Sequence, residues 1–124
     1  MQTKVTCAAL AGVDADIVHV EVDLALGLPA FAIVGLPEGA VKESKVRVLA
    51  ALSNCGYAVP PRKVTVNLAP ADLKKSGSGF DLAIALGMLS AAGLVGADRL
   101  EGAMAIGELG LDGRCRPVPG ALPF

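Results

Sequence analysis

The chain has 124 residues, 53% of them hydrophobic, and 11 basic against 12 acidic side chains leave a formal net charge of -1. That length and apolar content suit one globular domain with a real core and exclude a disordered segment. The near-neutral balance excludes bulk electrostatic attraction to nucleic acid or membrane, so any such partner has to be met by a local patch.

Taken in chain order, "VTCAALAGV" after Lys4 is a short apolar run followed at once by Asp14 and Asp16, and it reads as a strand rather than a signal peptide. "IVHVEVDLAL" alternates Val18, Val20, Val22 and Leu24 with His19, Glu21 and Asp23, the period of a half-buried strand, so His19 is expected to face solvent or a partner. "AFAIVG" is a wholly apolar strand. A helix follows from near Pro37 and Glu38 to just before Gly56, with Val41, Val48, Leu49 and Leu52 as its buried stripe and Lys42, Glu43 and Arg47 outside it. "KVTVNL" is a third apolar-alternating strand. "FDLAIALGMLSAAG" is apolar on nearly every side, which predicts a central helix; the uncharged run from Leu82 to Ala97 is too short for a membrane span. "AMAIGELGLDGRCRPV" predicts a hairpin with a two-residue turn at Asp112-Gly113. Strands, helix, strand, helix and hairpin pack most naturally as an α+β two-layer fold with a mixed sheet.

Cys7, Cys55 and Cys115 are far apart and odd in number, a pattern that fits neither a disulfide framework nor a zinc site and suits buried thiols in a reducing cytoplasm. His19 is the only histidine and the nearby acids are spaced as an ordinary strand face, so no metal site is expected.

The stretch "LKKSGSGFDLAIALGML" places Lys74, Lys75 and the loop Ser76, Gly77, Ser78 and Gly79 just before the central helix. Glycines there let a backbone come close to something: a phosphate at the helix N-terminus, a nucleic-acid backbone, a substrate, or only a neighbouring strand. A nucleotide loop needs a Gly-Lys pair, which the chain lacks, and the dinucleotide fingerprint fails because Phe80, Asp81 and Leu82 follow Gly79. Two readings stay open. In one, Ser78 and Asp81 form a capping box and the loop is structural. In the other, Lys74 and Lys75, joined by Arg114 and Arg116 on one face of the last strand, touch a phosphate backbone or an adjacent subunit.

The segments "GLPAFAIVGLPEGAVKESKVRV", "VTVNLAPADLKKSGSGFDLAIALG" and "GELGLDGRCRPVPGALP" resemble the N-terminal domain of the magnesium-chelatase-like AAA+ proteins, the bacterial family of the competence protein ComM type. The resemblance implies the two-layer fold of Lon protease catalytic domains, of the C-terminal domain of the repair protein RadA and of the second domain of the fifth small-subunit ribosomal protein. It also implies a single Lon-like domain over residues 1–124 that continues in related proteins with further helix and strand. In Lon-type domains a serine before the central helix is activated by a lysine after the hairpin; the matching positions here are Gly79 and Leu122, so the resemblance implies no catalytic residue and no peptidase. The family context implies a cytoplasmic, hexameric, ATP-driven DNA helicase of branch migration in natural transformation. ATP and magnesium would belong to a motor segment absent from this chain, DNA would be bound through the full-length protein, and no cofactor or membrane would be met here. An accessory role in a magnesium-chelatase-type ATPase assembly and a pure oligomerisation module are the alternatives.

Overall fold

The computed structural model describes residues 2–11, 14–57, 62–70, 79–100 and 102–116. β1 (Gln2–Ala11) and β2 (Asp14–Ala25) pair antiparallel, with Val5 opposite Val20 and Cys7 opposite Val18. β3 (Ala30–Val34) runs through α1 (Glu38–Asn54) to β4 (Lys63–Ala69), and β4 pairs parallel with β3 and antiparallel with β2. The result is a mixed sheet of order β1-β2-β4-β3. α2 (Asp81–Ala91) lies over β1 and β2, while α1 packs on α2 and β3. A short helix, α3 (Ala97–Leu100), precedes the hairpin of β5 (Glu108–Leu109) and β6 (Cys115–Arg116). The architecture is the expected α+β two-layer sandwich with two main helices.

The alternation of the strands decides which face meets the helices. Val18, Val20, Val22, Leu24, Val64, Val66 and Leu68 are buried in one cluster with Val48 and Leu52 of α1 and Ala83, Ile84 and Met88 of α2. Lys4, Glu21 and Lys63 stand exposed on the other face, where Asn67 Nδ2 donates to Glu21 Oε1 at 2.7 Å. α2 is buried on most sides because β1, β2, α1 and β5 all pack against it, and it comes close to the sheet at Gly87, where a Cβ would lie 2.5 Å from Val22 Cγ2. A stiff β-branched neighbour in a packed core leaves no room for one more methyl.

Both main helices end alike. Tyr57 N donates to Leu52 O and Gly56 N to Ser53 O, and in the same way Leu94 N donates to Leu89 O and Gly93 N to Ser90 O. These are the paired bonds of a Schellman motif, which needs the positive φ that Gly56 and Gly93 supply.

The hairpin corrects the expected turn. Gly110 N donates to Arg114 O and Gly113 N to Gly110 O, so three residues, Leu111 to Gly113, make the loop. A two-residue type I′ turn at Asp112-Gly113 would need positive φ at both, and only Gly113, at +90°, has it. The observed form is a type I turn closed by a glycine bulge, and Asp112 Oδ1 accepts the Arg114 N–H at 3.0 Å.

Candidate functional site

The first turn of α2 holds the one strongly buried carboxylate among the described residues. Asp81 is 1% exposed and accepts from two other elements: Arg47 and, one turn earlier, Ser44 of α1, and the backbone at the root of the hairpin. Arg47 Nε lies 2.6 Å from Oδ2 and Arg47 Nη2 3.2 Å from Oδ1, a two-pronged contact that suits the guanidinium fork. Ser44 Oγ donates to Oδ1 at 2.9 Å and Leu109 N to Oδ2 at 3.2 Å. Four donors on two oxygens account for the burial of the charge, and the helix N-terminus adds a favourable dipole. Arg47 is held above its ordinary pKa, chiefly by its hydrogen bond to Asp81.

This cluster departs from one expectation. Arg47 does not lie outside the buried stripe of α1; its side chain folds down to 20% exposure because Asp81 draws it in. The capping-box reading rests on Ser78, which lies outside the described residues; among those described, the Asp81 carboxylate is taken by α1 and β5. Asp81 is therefore a tie between α1, α2 and the hairpin, with no lone pair turned to solvent for acid or base work.

Of the loop before α2, only Gly79 lies among the described residues; Ser76, Gly77, Ser78, Lys74 and Lys75 lie outside them, as does Leu122. Gly79 is held by the segment just before β5. Gly107 N donates to Gly79 O at 3.0 Å, and Leu82 N donates to Gly107 O at 3.1 Å. The second of these bonds takes up a first-turn amide of α2 that a bound anion would have used. The segment carrying Gly107 also lies along β1, where Met104 bridges Thr6 and Ala105 N donates to Thr6 O. The exit of the loop is thus joined to the residue immediately before β5.

The arginines divide. Arg114 precedes β6, and its side chain is 88% exposed with a loose 3.7 Å contact to Asp112. An exposed pair at that distance contributes little, so the guanidinium is available. Arg116 lies in β6 opposite Glu108. The structure brings the hairpin against the exit of the loop; the two lysines lie outside the described residues.

Other candidates resolve as follows. Cys7 is buried as expected, and burial pushes its thiol up to about 11, far from thiolate reactivity at neutral pH. Cys55 and Cys115 are exposed, against the expectation, because Cys55 caps the end of α1 beyond its buried stripe and Cys115 sits on the two-residue β6. His19 is half-buried on the face away from the helices, its Nδ1 enclosed and without a hydrogen-bond partner. Among the described residues no three His, Cys, Asp or Glu side chains gather as metal ligands, and no helix is long and apolar enough to cross a membrane.

The Asp81 cluster had a legible signal. A single charge at the head of "FDLAIALGML" has to be neutralised, and Ser44 and Arg47 are three apart and beside Val48 on the buried side of α1.

Comparison with known proteins bears on this arrangement. The family model described as subunit ChlI of Mg-chelatase matches residues 20–124. The competence protein ComM of Haemophilus influenzae is 47% identical over 112 residues, 90% of this chain and 22% of that protein. The uncharacterized protein YifB of Escherichia coli is 49% identical over 117 residues, 94% of this chain, and an uncharacterized protein of Mycobacterium tuberculosis is 48% identical over 115 residues, 93% of it. The chain spans less than a quarter of the length of these relatives. A match over most of the chain, with the loop, central helix and hairpin all inside it, means that the chain belongs to the magnesium-chelatase-like family of subunit ChlI, which embraces the ComM and YifB proteins.

Proposed function

We propose that this chain is the non-catalytic N-terminal domain of an AAA+ ATPase and that it supports DNA binding and hexamer assembly of a cytoplasmic branch-migration helicase. The observation that carries the reading is the 47% identity to a competence protein over nine-tenths of the chain. The geometry supports it at two points. Asp81 is committed to holding α1, α2 and the hairpin together, which is the work of a scaffold. Gly107 ties the loop exit to the hairpin root, the two segments on which this reading sets its basic surface of Lys74, Lys75, Arg114 and Arg116.

ATP and magnesium belong, in this reading, to a motor outside this chain. The residues here do not fit a nucleotide site: the chain has no Gly-Lys pair, and the Leu82 amide is already bonded to Gly107. A four-residue patch binds DNA weakly by itself, and repetition of it around a ring would make it effective.

A second reading follows from the family description itself: an accessory domain of a magnesium-chelatase-type ATPase subunit, working in a protein assembly with magnesium as the inserted substrate. The two separate on the full-length protein. Its ATP turnover is measured with a four-way DNA junction and, separately, with a tetrapyrrole and its binding protein. Stimulation and unwinding with the junction alone is the expected result; stimulation by the tetrapyrrole assembly alone would replace it with the second reading, and response to neither would leave an oligomerisation module.

A further inference from the structure

Among the described residues β3 ends the sheet, bonded to β4 on one side only, and from Leu24 to Pro37 the chain carries no charged residue. Edge strands of soluble proteins are ordinarily blunted by a lysine, a proline within the strand or a bulge, because their unpaired N–H and C=O groups are a template for another strand. β3, "AFAIV", has none of these. Three of its five residues, Ala30, Ala32 and Val34, the last at 54%, are exposed, and the bend leading into it adds Leu26 at 84% exposure and Leu28 at 88%. The neighbouring strands present polar groups on that face, among them Glu21, Lys63 and Asn67, so the apolar stripe is confined to the edge.

We propose that this edge is a self-association surface, where β3 pairs antiparallel with β3 of a second copy of the chain about a two-fold axis near Ala32. The choice of a second copy rests on charge and shape. A two-fold contact sets a patch against itself, which forbids a charged patch and favours an uncharged one. About Ala32 the pairing places Ala30 opposite Val34, Phe31 opposite Ile33 and the small Ala32 opposite itself, so exposed residues meet exposed ones and inward residues meet inward ones. The charged β4 side chains remain outside the contact. The two sheets join into one of eight strands, and the free backbone groups of both edges are satisfied. A five-residue strand is only about 17 Å long and buries less than a standard interface, so the pairing is weak and concentration-dependent. Two-fold contacts can alternate with other contacts around a closed ring, so the proposal is compatible with a hexamer and does not rest on one.

The test is sedimentation velocity of the chain over a wide concentration range, beside Ala32→Lys and Val34→Lys, each checked by circular dichroism and thermal melting. The expected result is a monomer–dimer equilibrium whose dissociation constant rises about tenfold or more in both variants while the fold is kept. A monomer at every concentration would overturn the proposal, and so would a dimer untouched by both substitutions. Should a variant fail to fold, hydrogen exchange of the unaltered chain decides. Protection of amides within Ala30–Val34 that grows with concentration supports the pairing. Protection independent of concentration, or found only in a longer form of the protein, shows the edge covered within one molecule and overturns it.

Discussion

Arg47→Ala removes two of the four hydrogen bonds found among the described residues to a carboxylate that is 1% exposed, and with them the only positive charge set against Asp81 among those residues. What remains is Ser44 Oγ and Leu109 N. A buried charge stripped of its partner costs about 3–5 kcal/mol, whereas a neutral hydrogen bond lost with both ends free to find water costs about 1 kcal/mol. The first figure applies, because Asp81 sits under two helices and a hairpin and cannot turn outward. The reverse substitution, Asp81→Asn, should cost less, about 1–3 kcal/mol, since Arg47 keeps 20% exposure and can extend to solvent. The double variant should be less damaging than the sum of the singles, the coupling having been removed once. The assay is urea unfolding followed by far-ultraviolet circular dichroism, because the chain has no tryptophan and one tyrosine. A loss below about 1 kcal/mol for Arg47→Ala, or additivity of the two singles, would refute the claim that this pair ties α1, α2 and the hairpin together.

Three further outcomes follow from single features. Gly87→Ala should destabilise by roughly 1–2 kcal/mol in the same assay: the new Cβ meets Val22 Cγ2 at 2.5 Å, an overpacking cost of about 1–3 kcal/mol against a helix-propensity gain of at most about 1 kcal/mol, and a stabilised variant would contradict the close approach. Ellman's reagent should titrate two thiols in the native chain at pH 8, Cys55 and Cys115, with Cys7 reacting only on unfolding; three fast thiols would contradict its burial. Because the folded Cys7 thiol titrates near 11 against an ordinary 9.0, the folded state holds its proton longer, so this contribution to stability is complete below pH 9 and declines as the pH rises toward 11. Cys7→Ala should flatten that decline, and an unchanged alkaline slope would show that other groups cause it.

Strands with strict alternation were legible from sequence alone. Val18, Val20, Val22 and Leu24 could only face a core, and the parallel return of β4 beside β3 follows from a helix between two apolar strands. What the pattern could not deliver was pairwise: a guanidinium three residues from a buried serine looks solvated until the carboxylate that draws it in is placed by the fold. The hairpin turn failed for a related reason. Asp-Gly signals a turn, but the count of loop residues depends on how Gly110 and Arg114 pair, which the dipeptide does not encode. Of the loop before α2 only Gly79 lies among the described residues, and there the bonded neighbour is Gly107, just before β5. For the basic patch, the hairpin and loop exit are adjacent, and the lysines themselves lie outside the described residues.

The central claim, that this domain lends DNA contacts to a ring-shaped motor, is tested most directly by Lys74→Glu with Lys75→Glu in the full-length protein. DNA affinity is measured at two salt concentrations while the oligomer is followed by light scattering. The account predicts an intact hexamer whose affinity falls several-fold and whose dependence on salt becomes shallower, because fewer counterions are released on binding. An intact hexamer with unchanged affinity and salt slope would contradict it.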